Sequence, residues 1–380
     1  MSDTGMLAQA VDRIEAWFAE TWPVWIEHGL DENGLFYEQL DGAGRPDPAA
    51  PRRMRVQGRQ LYSFSRALAA GHETARPVLV RALASIEALC WGVDGSPGWI
   101  HLMASDGKPL DTLRDTYDQA FMLFGLCGAA EAGLPHARVL ADRTLTFLDA
   151  HVLHARDGSF LEGLPATLPR RSNPHMHLFE AMLAWFAYTG EQQFLDRADR
   201  IARLFEAAFF DRTNGTLTEF FTGSLLPAPP PAGDVVEPGH HFEWSWLLHR
   251  LSALGGRDLL DDAATLHRWA VQHGLDGSLL AVDECDRSGH QIRRTRRIWP
   301  QTELIKSRLA NGQTEIAATT AIAVLDSYLA TETKGTWVDQ FDEAGLPCAT
   351  VVPASTLYHL VVAFEDVLRV ARTSTRVTAP

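Results

Sequence analysis

The sequence predicts an all-α protein, an (α/α)6 barrel of about twelve helices with short β-hairpins in the long loops at one end. Three observations predict this fold. Apolar residues recur at helical spacing in twelve segments. The connections between these segments alternate between long and very short ones. A glycine-centred motif also returns in every long connection, roughly every sixty residues.

The twelve helical segments carry apolar residues three and four positions apart, along one face. We place them at residues 5–28, 53–71, 73–92, 114–132, 134–153, 175–189, 191–210, 241–254, 256–273, 300–311, 312–330 and 354–372. Sequential helix pairs that cannot bury their apolar faces alone pack into an inner and an outer ring. Residues 1–380 then form a single barrel domain.

Each long connection contains a motif of β-hairpin type, with a glycine turn, a brief alternating apolar run and, in most cases, a second Gly or Pro turn. The six motifs are NGLFYEQLDGAGRP, PGWIHLMASDGKP, DGSFLEGLP, NGTLTEFFTGSLLP, DGSLLAVDECDRSG and KGTWVDQFDEAGLP. Because long and short connections alternate, all six fall at one end of the ring. Even-numbered helices begin at that end, and a pocket is expected there.

Composition and charge exclude several classes of partner. A formal net charge of −14 disfavours nucleic acid and anionic membrane surfaces. No segment has the roughly 18 uninterrupted apolar residues of a membrane span, and the acidic N-terminus does not resemble a secretion signal. Four widely spaced cysteines, without a Cys-x-x-Cys motif, indicate a cytoplasmic protein. The oligomeric state stays open, and a homo-oligomer is compatible with the sequence.

Polar side chains suited to binding or catalysis recur at the start of every even-numbered helix. They are Arg55 and Arg59, Tyr117, Asn173 and His177, His240 and Glu243, Trp299 and Glu303, and Thr356 and His359. Several of these residues are three or four positions apart and therefore share one helix face. A single histidine or arginine of this kind more often caps a helix or packs in the core. Their recurrence at six equivalent points predicts one pocket.

Helical geometry selects among neighbouring histidines. His175 and His177 are about 200° apart on a helix, so only one of them can face the pocket. His177 shares the face of Asn173 and is assigned to the pocket, whereas His175 is expected to pack or cap. His240 is preferred to His241 because Glu243 lies one turn further on.

The residue types in the predicted pocket favour a sugar. The chain has no dinucleotide fingerprint, phosphate loop or Gly-x-Ser-x-Gly elbow, so we expect no cofactor of those classes. Sugar hydroxyls pair with Glu, Asn, Arg and His, while sugar C–H faces lie against Trp. Histidine, with an ordinary pKa of about 6.5, suits proton transfer near neutral pH. Removing the proton beside a sugar carbonyl gives an enediol whose oxyanion an arginine can stabilise.

Five segments resemble signature segments of the N-acylglucosamine 2-epimerase superfamily. They are VQGRQLYSFSRA, SNPHMHLFEAMLAW, EPGHHFEWSWLL, RRIWPQTELIKS and VPASTLYHL, and they are most similar to the mannose isomerase branch. The resemblance covers nearly the whole chain. It implies a catalytic barrel without a required metal, and catalysis by His240 and His359. It also implies that the sugar is surrounded by Arg59, Tyr117, Asn173, His177, Glu243, Trp299 and Glu303.

Together, the residues and the resemblance predict an aldose–ketose isomerase that interconverts D-mannose and D-fructose through a cis-enediol or enediolate. His240 would move the proton between C2 and C1. His359 would be the second acid/base, in ring opening and at the oxygens, and Arg59 would steady the enediolate. Arg55 would contribute to substrate binding.

Alternative functions remain open at this point. In a sugar 2-epimerase acting on mannose/glucose, cellobiose or an N-acylglucosamine, the two histidines would address opposite faces of C2. A glycoside hydrolase would use Glu243 and Glu303 as its carboxylate pair. A sugar- or metal-binding protein without turnover is the third alternative.

A charged substrate is a further alternative for the isomerase. Arg170 and Arg171, and the basic run 293–297, lie beside two of the pocket loops. They could serve a phosphate or sulfonate group on the sugar. They could equally balance charge in a strongly acidic protein.

Overall fold

Twelve α-helices dominate the computed structural model, which describes residues 4–377. They are α1 (Thr4–His28), α2 (Met54–Ala69), α3 (Ala75–Cys90), α4 (Thr116–Glu131), α5 (His136–Phe147), α6 (Asn173–Thr189), α7 (Gln192–Leu204), α8 (Pro238–Ala253), α9 (Leu260–His273), α10 (Ile298–Ala310), α11 (Thr314–Ser327) and α12 (Ala354–Val377). Over this part of the chain, no helix is long and apolar enough to cross a membrane.

The helices form two concentric rings. Each of α2, α4, α6, α8, α10 and α12 packs against the next, and α12 packs back against α2 and closes the inner ring. Helices α3, α5, α7, α9 and α11 each cover one inner helix, and α1 lies against α11 and α12. The inner helix α4 is buried on nearly every side, as a helix that is apolar all round must be. The predicted (α/α)6 barrel is confirmed.

Helix ends differ from the sequence prediction by a few residues. Helices α8 and α10 begin earlier than expected because Pro238 and Pro300 fit the first turn, where no backbone N–H partner is needed. Helices α5 and α7 end earlier as regular helices. Each continues into a π-helical turn, at Leu148–Val152 and Phe205–Phe209.

The long connections carry sixteen short strands within residues 4–377. They are β1 (Gln39–Asp41), β2 (Arg52–Arg53), β3 (Leu102–Met103), β4 (Pro109–Asp111), β5 (Arg114–Asp115), β6 (Gly163–Leu164), β7 (Arg170–Arg171), β8 (Phe210–Asp211), β9 (Thr216–Leu217), β10 (Phe220–Phe221), β11 (Val235–Val236), β12 (Glu284–Asp286), β13 (Gln291–Arg293), β14 (Arg296–Arg297), β15 (Gln340–Phe341) and β16 (Val351–Pro353). A short 3₁₀ turn, Ala232–Asp234, precedes β11.

Strand pairing joins neighbouring repeats more regularly than it closes local hairpins. The strand before each inner helix pairs antiparallel with the connection of the next repeat, in the pairs β2–β3, β5–β6, β7–β10, β11–β12 and β14–β15. The pair β16–β1 completes the circle. Local ladders are limited to β3–β4, β8–β9 and β12–β13. The expected hairpins are therefore shallow, because most strand edges are used between repeats.

Ion pairs join the two ends of four long connections. In each, an aspartate near the start of the connection binds an arginine two or three residues before the next inner helix. The pairs are Asp31–Arg52, Asp94–Arg114, Asp157–Arg170 and Asp276–Arg296. Arg52 is 1% exposed and Arg114 is 4% exposed, so loss of either aspartate would leave a buried charge without its partner.

Two glycines bring helices α2 and α4 into backbone contact. A Cβ on Gly58 would lie 2.3 Å from the backbone oxygen of Phe121, and a Cβ on Gly125 would lie 2.2 Å from that of Gly58. Helices α2 and α4 therefore touch close to Arg59 and Tyr117, the residues that they direct toward the axis of the ring.

We expect Gly58→Ala to lower the free energy of unfolding by about 1–3 kcal/mol or more, because the added methyl group forces the two helices apart. Thermal and urea unfolding followed by circular dichroism measure the change. Gly5→Ala is the matched control, since Gly5 lies in α1 with nothing near its Cβ position and alanine favours a helix. Equal stability of the two variants would contradict the close-contact argument.

Candidate functional site

A cavity of about 350 Å³ opens at the end of the ring that carries the long connections. Most of its lining residues come from the first turns of the inner helices or the strands just before them. They are Arg53, Arg59, Tyr117, Asn173, His177, Glu237, His240, Glu243, Arg297, Trp299, Asp339, Pro353, Ser355, Thr356 and His359. This is the end at which the sequence places the pocket.

Nine of the eleven residues expected in the pocket line this cavity, and Arg55 and Glu303 do not. The guanidinium of Arg55 turns toward α4, where it lies 3.2 Å from Asp118. Asp118 is fully buried and also contacts His101 at 2.5 Å, so it draws Arg55 away from the opening. Glu303 is completely buried behind His359. Both residues support groups around the cavity, and their direct contact with a substrate stays a prediction.

His240 is held between a carboxylate and an amide. Its Nδ1 lies 2.9 Å from Glu219, and its Nε2 lies 3.1 Å from the side-chain amide of Asn173. Burial alone would lower the pKa of His240, but the carboxylates of Glu219 and Glu237 outweigh it and raise this pKa to about 10. It is the amide nitrogen of Asn173 that lies at this distance, and the amide oxygen has no hydrogen-bond partner within the described residues. The amide can therefore turn so that its oxygen accepts the Nε2 proton of the imidazolium.

His359 has a similar carboxylate behind it but is neutral, whereas His240 is positively charged. The Nδ1 atom of His359 lies 2.9 Å from Glu303, yet burial, together with the positive charges of Arg59 and Lys306, lowers its pKa well below the ordinary value. Its Nε2 has no hydrogen-bond partner within residues 4–377. His359 is therefore a neutral imidazole with a free Nε2, while His240 is an imidazolium.

His177 forms the floor of the cavity with the residues behind it. Its Nδ1 lies 3.0 Å from Glu180, which also accepts a hydrogen bond from the Tyr358 hydroxyl. Burial lowers the pKa of His177 to about 4, against the opposing effect of Glu180. Tyr117 packs edge-on against the imidazole, with 5.1 Å between ring centroids. His177 is thus a neutral donor or acceptor of fixed orientation.

The neighbouring histidines have structural roles. His175 accepts a hydrogen bond from the backbone N–H of Phe160 and contacts the carbonyl of Arg171, at 2.9 and 3.1 Å. His241 accepts one from the backbone N–H of Leu217 at 3.2 Å. Neither lines the cavity. The helical-wheel argument places all four histidines as the structure has them.

Arg59 is a buried cation without a carboxylate partner in the described part of the chain. It donates to the Tyr117 hydroxyl at 2.9 Å, and its guanidinium lies 4.0 Å from the centroid of the Phe121 ring. Only 7% of the residue is exposed. An unneutralised guanidinium in such a place is suited to stabilising negative charge on a bound molecule.

Trp299 contacts both the positively charged His240 and the neutral His359. Its ring centroid is 5.3 Å from that of His240 and 5.7 Å from that of His359. The indole fits because Gly239, just before His240, has no side chain: a Cβ there would lie 2.5 Å from the ring. The indole therefore offers a flat apolar wall beside the reacting groups, as sugar C–H faces require.

Three groups of side chains bring potential metal donors within 4.8 Å of one another. They are His177, Glu180 and Glu243; Glu219, Glu237 and His240; and Glu243, Glu303 and His359. Such donors suit Zn²⁺. The positive charges of Arg59 and Lys306 next to the third group oppose a divalent cation, since Lys306 Nζ lies 2.5 Å from Glu303. We assign no ion to these groups.

Sequence reasoning missed the carboxylates behind the histidines, above all Glu219 and Glu180. A signal for Glu219 exists in the glycine motifs, four of which have an acidic residue four positions after the glycine: Glu38, Glu162, Glu219 and Asp339. In the structure, each of these carboxylates bonds a residue just before or within an inner helix. The position in the motif therefore marks the residue that supports the pocket wall.

An inner ring of helices that presents an imidazolium, a neutral imidazole, an unpaired arginine and an indole to one small cavity is suited to acid and base catalysis on a sugar, as in a sugar isomerase or epimerase. Comparison with known proteins agrees. The chain belongs to the N-acylglucosamine 2-epimerase (GlcNAc 2-epimerase) family, whose model matches residues 34–363. It is accordingly an enzyme of this family that acts on sugars.

Relatives within the family carry different names. The chain is 35% identical over 372 residues to a mannose-6-phosphate isomerase of Rhizobium meliloti (strain 1021), which covers 91% of this chain and 94% of the relative. It is 31% identical over 235 residues to a D-mannose isomerase of Thermobifida fusca, covering 57% and 58%. The structure of the cellobiose 2-epimerase from Spirochaeta thermophila DSM 6192 matches with a TM-score of 0.85 at 22% identity, covering 97% and 98%. The predicted resemblance to the family and its mannose isomerase branch is confirmed.

We expect Glu219→Gln to lower the pKa of His240 by about 1–3 pH units, because burial then outweighs the remaining carboxylates. The readout is the pH titration of ¹⁵N-labelled histidine in the protein by NMR. Glu343→Gln, which removes an exposed carboxylate far from the cavity lining, should leave the titration unchanged. Persistence of the His240 imidazolium up to pH 9 in Glu219→Gln would contradict the assignment.

Proposed function

We propose that this protein is an aldose–ketose isomerase that interconverts D-mannose and D-fructose, with residues 1–380 as its catalytic domain. One observation carries the proposal: of the two histidines beside Trp299, only His359 has an unbonded Nε2, while the Nε2 of His240 is bonded to Asn173. A proton shuttle between C2 and C1 on one face of an enediol needs a single base at carbon. Epimerisation at C2 needs two.

The charges of the two histidines support an assignment opposite to the one expected from the sequence. A neutral imidazole accepts a proton and an imidazolium donates one, so His359 acts as the base at carbon. His240 acts at the oxygens, as the general acid. Groups whose surroundings drive their pKa values apart are the usual way in which one site supplies both an acid and a base.

In the proposed reaction, Nε2 of His359 takes the proton from C2 of the open-chain aldose. The C–H electron pair forms the C1–C2 double bond, and the carbonyl pair moves to O1, which receives a proton from His240. His359 then returns its proton to C1, while His240 recovers one from the O2 hydroxyl as the C2 carbonyl forms. The guanidinium of Arg59 stabilises negative charge on the enediolate oxygens.

The cavity supports an uncharged monosaccharide as the substrate. Its volume of about 350 Å³ lies near the lower end of the roughly 300–1,000 Å³ found for ligand sites. Five of the six arginines considered for a phosphate are already paired: Arg170 with Asp157, Arg171 with Glu162, Arg293 with Glu284, Arg296 with Asp276, and Arg297 with Asp283 and Glu237. A phosphate dianion would have to compete with these carboxylates.

Catalysis without a metal is part of the proposal. The positive charge that a Lewis acid would bring to the enediolate is already available from Arg59, and proton transfer is covered by the two histidines. Lys306 and Arg59 disfavour a second cation beside Glu303 and His359.

The reaction is tested by NMR of D-mannose incubated in D₂O with enzyme that has been treated with a chelator. We expect D-fructose, either without deuterium or with deuterium at C1, and a lower kcat/KM for D-mannose 6-phosphate than for D-mannose. D-glucose labelled at C2 would replace the isomerase with an epimerase. Activity that returns only when a divalent ion is added would overturn the metal-free mechanism.

We expect His359→Asn and His240→Asn each to lower kcat by about 10²–10⁴, the usual contribution of a general acid or base. Steady-state kinetics on D-mannose measure the loss, and circular dichroism checks the fold. The control is His290→Asn, because His290 is 82% exposed in its side chain and lies on a loop outside the cavity lining. Near-full activity of either pocket variant would remove that histidine from the mechanism.

A further inference from the structure

His240 and His359 are each held by a buried glutamate, but the two glutamates differ in their second partner. Each has Nδ1 at 2.9 Å from a buried glutamate, Glu219 for His240 and Glu303 for His359. Glu219 has a neutral second partner, the Ser172 hydroxyl at 3.1 Å. Glu303 instead lies 2.5 Å from the Nζ atom of Lys306. Only one of the two carboxylates is therefore neutralised by a permanent cation.

Lys306 is enclosed completely and does not reach the substrate cavity. It is 0% exposed, is absent from the cavity lining, and has its Nζ atom 3.9 Å from the centroid of the Trp246 ring. It stands three residues after Glu303 on α10, and so on the same face of the helix. The nearby carboxylates of Glu303 and Glu243 outweigh burial and raise the pKa of Lys306, which keeps it charged.

We propose that Lys306 is a positioning residue that keeps His359 a neutral base by neutralising the Glu303 carboxylate behind it. The ion pair lets Glu303 fix the tautomer and direction of the imidazole, with the proton on Nδ1 and the lone pair on Nε2, without drawing a second proton onto the ring. His240 is the internal comparison: its carboxylate has no such cation, and the ring is an imidazolium. The role in turnover rests on the proposed function.

Charged and titratable groups face His359 from each inner helix around it. On α10, Glu303 and Lys306 lie directly behind the ring. The others are Arg59 on α2, His177 and Glu180 on α6, Glu243 on α8, and Tyr358 on α12 itself. Arg59 also disfavours the imidazolium, so the loss of Lys306 removes one of the two positive charges that keep His359 neutral. Without Lys306, the Glu303 carboxylate at 2.9 Å loses its cation and is free to attract a proton to the pair that it forms with His359, so we expect the pKa of His359 to rise.

The test is Lys306→Met, which keeps the length and apolar stem of the side chain and removes its charge. We expect the pKa of His359, measured by ¹⁵N NMR of the labelled imidazole, to rise by about 1–3 pH units. The acid limb of the kcat/KM profile should move upward by the same amount, with activity recovering as the pH is raised. Adding Glu303→Gln to Lys306→Met should return the pKa of His359 to a low value, because the anion is then gone as well.

Lys334→Met is the control for loss of a lysine, since Lys334 is 65% exposed in its side chain and pairs with Glu20 on the outside. It should move neither the titration nor the pH profile. If Lys306→Met does not fold, Lys306→Gln, which retains a donor toward Glu303, carries the same measurement. An unchanged pKa of His359 in a folded Lys306 variant would overturn the proposal.

The two readouts separate this inference from the proposed function. Because the NMR titration needs no substrate, a raised pKa of His359 supports the inference even when D-mannose is not isomerised. A raised pKa with an unmoved pH profile would show that His359 is not the base and would overturn the role of Lys306 in turnover. A protein that isomerises D-mannose, but whose Lys306→Met variant leaves His359 neutral, would overturn the inference alone.

Discussion

The aspartate–arginine pairs that close four of the long connections are the interaction on which the site depends. Each pair fixes the distance between the end of an outer helix and the beginning of the next inner one. Every pocket residue on an inner helix lies in its first two turns. A change in that distance would therefore displace side chains such as His177 or Tyr117. Removing one partner of the fully buried pair Asp31–Arg52 costs about 3–5 kcal/mol, a large part of the stability of a typical protein.

Other ion pairs neutralise arginines at the cavity. Arg53 and Arg297 on its wall, and Arg171 beside it, bind glutamate or aspartate. Arg59 is different because α2 delivers it to the axis of the ring, among the aromatic rings of Tyr117 and Phe121. The protein thus has many arginines near the pocket but uses only one as a free cation there.

The ring could be predicted from the sequence because helical periodicity and the alternation of connection lengths are local properties that repeat. The positions of His177, His240 and His359 followed from the same regularity. Glu219 and Lys306 could not be predicted, because each acts through a contact with a histidine that depends on how neighbouring elements meet. The orientation of Arg55 could not be predicted for a related reason: a shared helix face does not reveal that the next helix places Asp118 beside it.

Closure of the ring by β1 and β16 places the first and last repeats next to each other. All six repeats are therefore joined by equivalent strand pairs at the pocket end, whatever the order in which the chain visits them. The short connections at the opposite end, such as the one at Gly190, contribute nothing to the cavity lining. The six repeats thus form a closed circle although the chain has two ends. A circularly permuted form, with its new termini at one of those short connections, would retain the strand pairs at the pocket end.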